Sequence, residues 1–386
     1  MTDTMTITDR AYMAEALGLA RRGLTTTTPN PMVGCLLVRD DEVIGRGWHE
    51  RAGGPHAEIN ALRDAARSAG GDPDSPDVWR DAASGATCYV TLEPCSHTGR
   101  TGPCAEALVQ AGIARVVYAM EDPNPEVSGA GFMRLREAGV EVSGPLLEED
   151  ALALNAGFVR RMTRGRPWVR CKLAMSLDGR TAMQSGESRW VTSRRAREDV
   201  QRLRAASCAL ISGVDTVLMD NASLTVRRED WIEAPSEGEL RQPLRVILDS
   251  NQRLKPDCAL VKNASPILVV HTGGELRHEW PEHVEHIELP ALKGRVRVEA
   301  VLDELGRRGC NNVLVEAGAT LAGSFLRRAL LDEIIIYMAP KLMGNNARGL
   351  FDLPVDKMSG QLPLHINDIR AVGQDWRITA VPDMDS

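Results

Sequence analysis

Apolar residues recur at helical spacing over residues 11–22, then at strand spacing over residues 32–38 and 43–48, with Asp40-Asp41 as the turn between the two strands. Residues 57–68 predict a helix with Ile59 and Leu62 on one side. Residues 70–85, rich in Gly, Asp, Pro and Ser, predict an exposed surface insertion. Apolar runs at 88–92, 113–120 and 140–142 predict further strands. Helices are expected at 104–110, ending at Ala111-Gly112, and at 131–138. This order predicts an α/β/α sandwich around a mixed sheet.

Residues 146–166 are expected to cross between domains: 152–158 is helical, and 160–167 is a basic, solvated run ending in Gly165, Arg166 and Pro167. Beyond it, strands are expected at 168–175, 208–213, 244–250, 266–271, 312–315 and 333–339. Helices are expected at 194–205, 298–308 and 320–330. That alternation predicts a largely parallel sheet with helices on both faces. Two domains follow, at residues 1–150 and 151–386, each long enough for its own core.

Composition changes the picture only by exclusion. A net charge of −7 argues against a nucleic-acid surface, which would be basic. No apolar run approaches a membrane span, and residues 1–10 are polar. Eight cysteines without regular spacing are expected in a reducing cytoplasm. Cys35, Cys88, Cys171, Cys208, Cys258 and Cys310 lie mainly in apolar runs and read as buried thiols.

Three short pieces carry chemistry: Pro55-His56-Ala57-Glu58, Glu93-Pro94-Cys95 and Pro103-Cys104. One imidazole and two thiolates suit Zn²⁺ and leave a fourth position for water. Glu58 is the base, taking a proton from that water and handing it to a leaving amine. The pattern resembles the zinc deaminase signature H-x-E with P-C-x-x-C, departing from it in having eight residues and not two between the cysteines. Positions two apart point about 200° away from each other on a regular helix. His56 and Glu58 can therefore serve one metal only at an irregular first turn, where Pro55 belongs. Cys104, at a helix start, has its thiolate favoured by the dipole. A closed structural site with His97 as fourth ligand is the bland alternative, but it has no use for Glu58. Asn30, between two prolines, reads by composition as a turn former. In the second half, Val315-Glu316-Ala317-Gly318 runs from a strand into a small-residue loop, 318–324, and a helix. Such a helix start offers N–H groups to a dinucleotide pyrophosphate, or is merely a tight turn.

Residues 96–103 separate the two cysteines, with Gly99-Arg100-Thr101 inside. In this the chain resembles the riboflavin-pathway deaminases. Residues 172–180, 185–190 and 214–227 in turn resemble the reductase half of the bifunctional riboflavin-biosynthesis deaminase/reductase family. The resemblance implies a cytidine deaminase-like first domain and a dihydrofolate reductase-like second domain. It implies Zn²⁺ on His56, Cys95 and Cys104, with Asn30 on the substrate. It implies NADPH against Ala174, Trp190, Thr216, Asp220, Ser250 and Gly318, Ala319, Thr320, Leu321, Ala322, Gly323 and Ser324. Ser188, Arg204, Leu224, Arg227 and Glu316 would contact a phosphoribosylaminopyrimidine, the two arginines as phosphate partners. On the residues alone, Arg204 reads as a solvated helix charge. Lys172 and Asp220 are polar groups suited to assist hydride transfer. The partner implied is this small molecule, with no nucleic acid and no membrane, in a cytoplasmic homo-oligomer. Other readings are a nucleoside or transfer-RNA deaminase with an accessory domain, and a non-catalytic zinc-stabilised nucleotide sensor.

Overall fold

The computed structural model describes residues 5–96, 102–125, 127–231, 234 and 240–383, which form two compact units, Met1–Arg164 and Gly165–Ser386.

Unit 1 opens with α1 (Ile7–Ala20), one turn earlier than the apolar spacing starts. Thr6 caps it, and Asp9 returns the bond to the Thr6 backbone, a reciprocal capping box. β1 (Gly34–Arg39) and β2 (Glu42–Trp48) form the expected hairpin. Asp40 and Asp41 take φ of 53° and 61°, the left-handed pair a two-residue turn needs. Then come α2 (Ala57–Ser68), α3 (Pro76–Ala83), β3 (Thr87–Val90), α4 (Cys104–Gln110), β4 (Arg115–Tyr118), α5 (Ala130–Glu137) and β5 (Glu141–Ser143). The sheet order is β2-β1-β3-β4-β5, antiparallel on either side of β1 and parallel from β3 to β5. It is the mixed sheet the pattern predicts.

Two expectations change here. Residues 70–85 are not all loop: Pro76 starts α3, whose Ala82 and Ala83 are buried and whose Trp79 packs on the core. Within the expected crossing 146–166, helix extends beyond 152–158 to α6 (Glu148–Leu154) and α7 (Ala156–Arg164), so that residues 160–164 of the run read as solvated linker belong to a helix of unit 1. Leu146, Ala151, Leu154 and Val159 join its core, and the Asn155 amide exchanges two hydrogen bonds with Met32, accepting at 2.8 Å and donating at 2.9 Å.

Unit 2 begins with β6 (Trp168–Ser176) and β7 (Arg180–Ala182), then α8 (Arg194–Ala205), β8 (Ala209–Gly213), α9 (Val214–Asp220), β9 (Leu244–Leu248) and α10 (Ala259–Lys262). There follow β10 (Ile267–His271), β11 (Val284–Glu288), β12 (Ala291–Leu292), β13 (Arg295–Val296), α11 (Val298–Arg307), β14 (Asn312–Val315) and α12 (Ala319–Leu326). The chain closes with β15 (Glu333–Ala339), β16 (Arg348–Gly349), β17 (Leu364–Val372) and β18 (Asp375–Pro382). The main sheet runs β11-β10-β9-β8-β14-β6-β15-β18-β17, parallel as far as β15 and antiparallel beyond it. Its central strands are buried Val, Ile and Leu runs, as helices on both faces require. Of the cysteines read as buried, Cys258 is only half-buried and the others are enclosed.

Candidate functional sites

His56 is the N-cap of α2, with extended φ −75° and ψ 167°, so its ring departs from the helix direction while Glu58 sits in the first turn. This is the irregular start that lets residues two apart face one centre. Cys95 follows the C-terminal end of β3, on a loop held by Glu93. The Glu93 carboxylate accepts the N–H groups of Asp122 (3.3 Å), Gly129 (3.0 Å) and Gly131 (3.0 Å). Gly131 has to be glycine, because a Cβ there would lie 1.9 Å from the Pro94 carbonyl oxygen. Cys104 opens α4, and its N–H donates to Cys95 Sγ at 3.4 Å.

His56 Nδ1 lies 3.6 Å from Cys95 Sγ and 3.3 Å from Cys104 Sγ. Zinc bonds of about 2.0 Å to nitrogen and about 2.3 Å to sulfur, set at tetrahedral angles, put those atoms about 3.5 Å apart. The three side chains therefore fit zinc as they stand. They are the one group of three or more such ligands among the described residues; His97 and the Gly99-Arg100-Thr101 segment lie outside those residues. The Cys104 thiol donates to Cys95 and, against the effect of burial, holds the Cys95 thiol down at about 4. Glu58 is enclosed at 3% exposure, and burial, reinforced by the negative Cys95, pushes its carboxyl up to about 7.

Asn30 is tied to this centre through a residue the pattern does not single out. Its Nδ2 meets His49 Nε2 at 3.0 Å, while His49 Nδ1 meets the Pro55 carbonyl at 3.0 Å. The His49 ring packs edge-on to His56 with centroids 5.6 Å apart. With Nδ1–H donated to Pro55, Nε2 is the acceptor and the Asn30 amide N–H donates to it.

Unit 2 contains a cavity of about 1380 Å³. It is lined by Lys172, Ala174, Ser188, Trp190, Arg204, Thr216, Asp220, Leu224, Arg227, Ser250 and Glu316, and by Gly318, Ala319, Thr320, Leu321 and Ser324. The stretch 318–324 is not a loop: Gly318 caps α12 without a side-chain bond and Ala319 begins the helix. Ala322 and Gly323 face away from the cavity, Ala322 into the core and Gly323 onto the Asp352 carbonyl. The first N–H groups of α12 have no intrahelical partner, and Gly318, Ala319, Thr320 and Leu321 line the cavity. Burial pushes the Lys172 ammonium down, although Glu316 opposes this. Burial alone would raise Glu316, but Arg204 and Lys172 hold its carboxyl below the ordinary value. Ser188 Oγ donates to Asp220 at 3.2 Å.

Both halves match family models: "Cytidine and deoxycytidylate deaminase zinc-binding region" over residues 6–120 and "RibD C-terminal domain" over residues 167–378. The riboflavin biosynthesis protein RibD of Escherichia coli is 47% identical over 375 residues, covering 95% of this chain and 97% of that one. The chain belongs to the RibD family. The Haemophilus influenzae RibD is 46% identical, with 97% of each chain covered. Among solved structures, Acinetobacter baumannii RibD matches with a TM-score of 0.86 at 42% identity, over 98% of this chain and 99% of that one. The Thermotoga maritima diaminohydroxyphosphoribosylaminopyrimidine deaminase/5-amino-6-(5-phosphoribosylamino)uracil reductase matches at 0.83 and 33%, over 97% and 99%. RibD is a bifunctional deaminase/reductase of riboflavin biosynthesis, and this chain holds both the zinc-binding deaminase domain and the NADPH-type reductase domain. No helix among the described residues is long and apolar enough to cross a membrane.

Proposed function

We propose that unit 1 deaminates 2,5-diamino-6-(5-phosphoribosylamino)pyrimidin-4(3H)-one to 5-amino-6-(5-phosphoribosylamino)uracil. Unit 2 then reduces the ribosyl group to give 5-amino-6-(5-phosphoribitylamino)uracil. The observation that carries the reading is His56 Nδ1 set between two sulfurs at zinc-edge distances, with an enclosed carboxyl, Glu58, beside them.

His56, Cys95 and Cys104 hold zinc, which when bound supplies Lewis-acid activation of water. Glu58 takes the water proton at its carboxylate and delivers it to the departing amine nitrogen. A carboxyl enclosed beside the three zinc ligands is placed to do both. Asn30, its N–H turned to His49, offers Oδ1 as an acceptor to the pyrimidine. In unit 2, NADPH supplies the hydride. The N–H groups at the start of α12 hold its pyrophosphate. Ala174, Trp190, Thr216, Asp220 and Ser250, which line the cavity, would contact that cofactor, and Ser188, Leu224, Arg227 and Glu316, which also line it, would contact the substrate. Arg204 acts on Glu316, which it orients.

We also infer a cytoplasmic homo-oligomer. All eight cysteines are free, which supports a reducing compartment. β17 is an edge strand with Leu364, Ile366 and Ile369 exposed, which supports pairing with a second copy, a point that light scattering decides.

The test is one coupled assay with the diaminopyrimidine phosphate, following ammonia and cofactor absorbance separately. Ammonia should appear without NADPH, and NADPH oxidation should require the deaminated product. Gly318→Leu, whose Cβ would meet nothing within 4 Å at a position lining the cavity, should abolish NADPH oxidation and leave ammonia release intact. Loss of both together would refute the assignment of one reaction to each unit.

A further inference from the structure

Two pairs of buried cysteines take no part in either reaction, and their surroundings differ. In unit 1 the sulfurs of Cys35 and Cys88 lie 3.5 Å apart. Among the described residues neither accepts a backbone N–H, and the Glu58 carboxyl acts on Cys35 as a negative neighbour. Burial and a nearby carboxylate both disfavour thiolate, so this pair is inert.

Cys208 and Cys310 stand in unit 2 just before the neighbouring parallel strands β8 and β14, at the strand ends away from the cavity. The Cys208 sulfur accepts the N–H groups of Asn311 at 3.1 Å and Asn312 at 3.3 Å. The Cys310 thiol is a third donor to it, and that donation, with burial, pushes the Cys310 thiol up. Arg241 is fixed beside them, because its Nη2 donates to the carbonyls of Ala205 at 2.8 Å and Ser207 at 2.7 Å. From there its guanidinium acts on both sulfurs. N–H donors and a guanidinium favour negative charge on sulfur, so Cys208 is the member that carries it and Cys310 the member that keeps its proton. Cys208 and Cys310 retain 6% and 7% exposure where Cys35 and Cys88 have 0%, so solvent touches only this pair.

We propose that Cys208 and Cys310 form a hydroperoxide-reducing dithiol site, with Cys208 as the attacking sulfur and Cys310 as the resolving one. The Cys208 thiolate attacks one peroxide oxygen: an S–O bond forms, the O–O bond breaks, and hydroxide leaves and takes up the proton that the Cys208 thiol had released. Sulfur is oxidised to sulfenic acid and the peroxide is reduced. The Cys310 sulfur then attacks the sulfenyl sulfur. An S–S bond forms, the S–O bond breaks, and the departing hydroxide takes the Cys310 proton as water. Two thiols and one hydrogen peroxide thus become one disulfide and two waters. A small external dithiol returns the pair to its reduced state by thiol–disulfide exchange.

The test treats the reduced, zinc-loaded full chain with an equimolar amount of hydrogen peroxide, then blocks the remaining thiols and maps the peptides by mass spectrometry. The Cys208 and Cys310 peptides should be recovered linked to each other, while Cys35 and Cys88 stay reduced; dithiothreitol should restore both thiols. In denaturant the selectivity should vanish, because it comes from the fold. Dimedone, which traps sulfenic acid, separates the two roles. It should tag Cys208 in Cys310→Ser and leave Cys310 untagged in Cys208→Ser, with an unchanged melting temperature showing that each variant folds. The linked peptide of the parent tests the site even where a variant does not fold. The proposal is overturned if peroxide leaves Cys208 and Cys310 reduced, if it links other cysteines first, or if the same selectivity persists in denaturant. A dimedone tag on Cys310 in place of Cys208 would overturn the assignment of the attacking sulfur.

Discussion

The Arg204 guanidinium lies side by side with the Glu316 carboxylate: Nε donates to Oε1 at 2.6 Å and Nη2 to Oε2 at 2.9 Å. Its remaining nitrogen, Nη1, donates to the Thr225 carbonyl at 2.9 Å. All three nitrogens are engaged within the protein, so Arg204 is placed to position Glu316 instead of standing open as a phosphate clamp. Arg204→Met should leave the buried Glu316 carboxylate without its hydrogen-bonded partner, facing only the charges of Lys172 and Arg227, and destabilise unit 2 by up to about 3–5 kcal/mol. It should also remove NADPH oxidation while deamination persists. Denaturant unfolding of the two units, read beside both activities, checks this; a loss below about 1 kcal/mol would mean that the pair does not organise the cavity.

Gly131 packs its Cα against the loop that delivers Cys95. Gly131→Ala would force its new carbon onto the Pro94 carbonyl oxygen, 1.9 Å away, and displace the neighbouring cysteine. Zinc content should fall below one per chain and ammonia release with it, while NADPH oxidation of the deaminated intermediate stays near the parent rate. Metal analysis of the purified variant decides the point, and full occupancy would show that the loop yields elsewhere.

Asp9 links α1 to the sheet. It accepts from the Thr6 N–H (2.8 Å), the Tyr89 hydroxyl (2.7 Å) and Arg115 Nη1 (2.9 Å). Burial alone would raise its carboxyl, but these bonds outweigh that and hold it at about 2 against an ordinary 3.8. A depressed folded pKa stabilises above the unfolded value and is lost as pH falls through the folded one. The contribution, about 2 kcal/mol, should be complete above pH 3.8 and fade toward pH 2. Asp9→Asn should therefore be less stable than the parent at pH 7, with the gap closing across that window. A gap independent of pH would assign the cost to shape and not to charge.

The zinc centre could be read from the sequence because its chemistry demands particular residue types at a helix start and a strand end. His56, Glu58, Cys95 and Cys104 have few substitutes in that task. His49 could not be read so: its partner Asn30 is 19 residues away, and a lone histidine after a strand carries no spacing signal. Residues 70–85 were obscured by Gly, Pro and Ser around a short helix whose buried face is alanine. β17 escaped for a different reason. A bulge between Ile366 and Asp368 breaks the alternation of Leu364, Ile366 and Ile369, and its register with β18 is visible only in three dimensions. The mixed and parallel sheets were legible because burial writes itself into runs of Val, Ile and Leu.

The account as a whole turns on Glu58 as the proton carrier beside a metal held by three other residues. Zinc content and ammonia release measured on one preparation of Glu58→Gln test it most directly. We expect one zinc per chain and ammonia release down by at least about 100-fold, the usual scale of general acid–base catalysis, with NADPH oxidation of the deaminated intermediate unchanged. Zinc-loaded Glu58→Gln that releases ammonia at the parent rate would contradict the account.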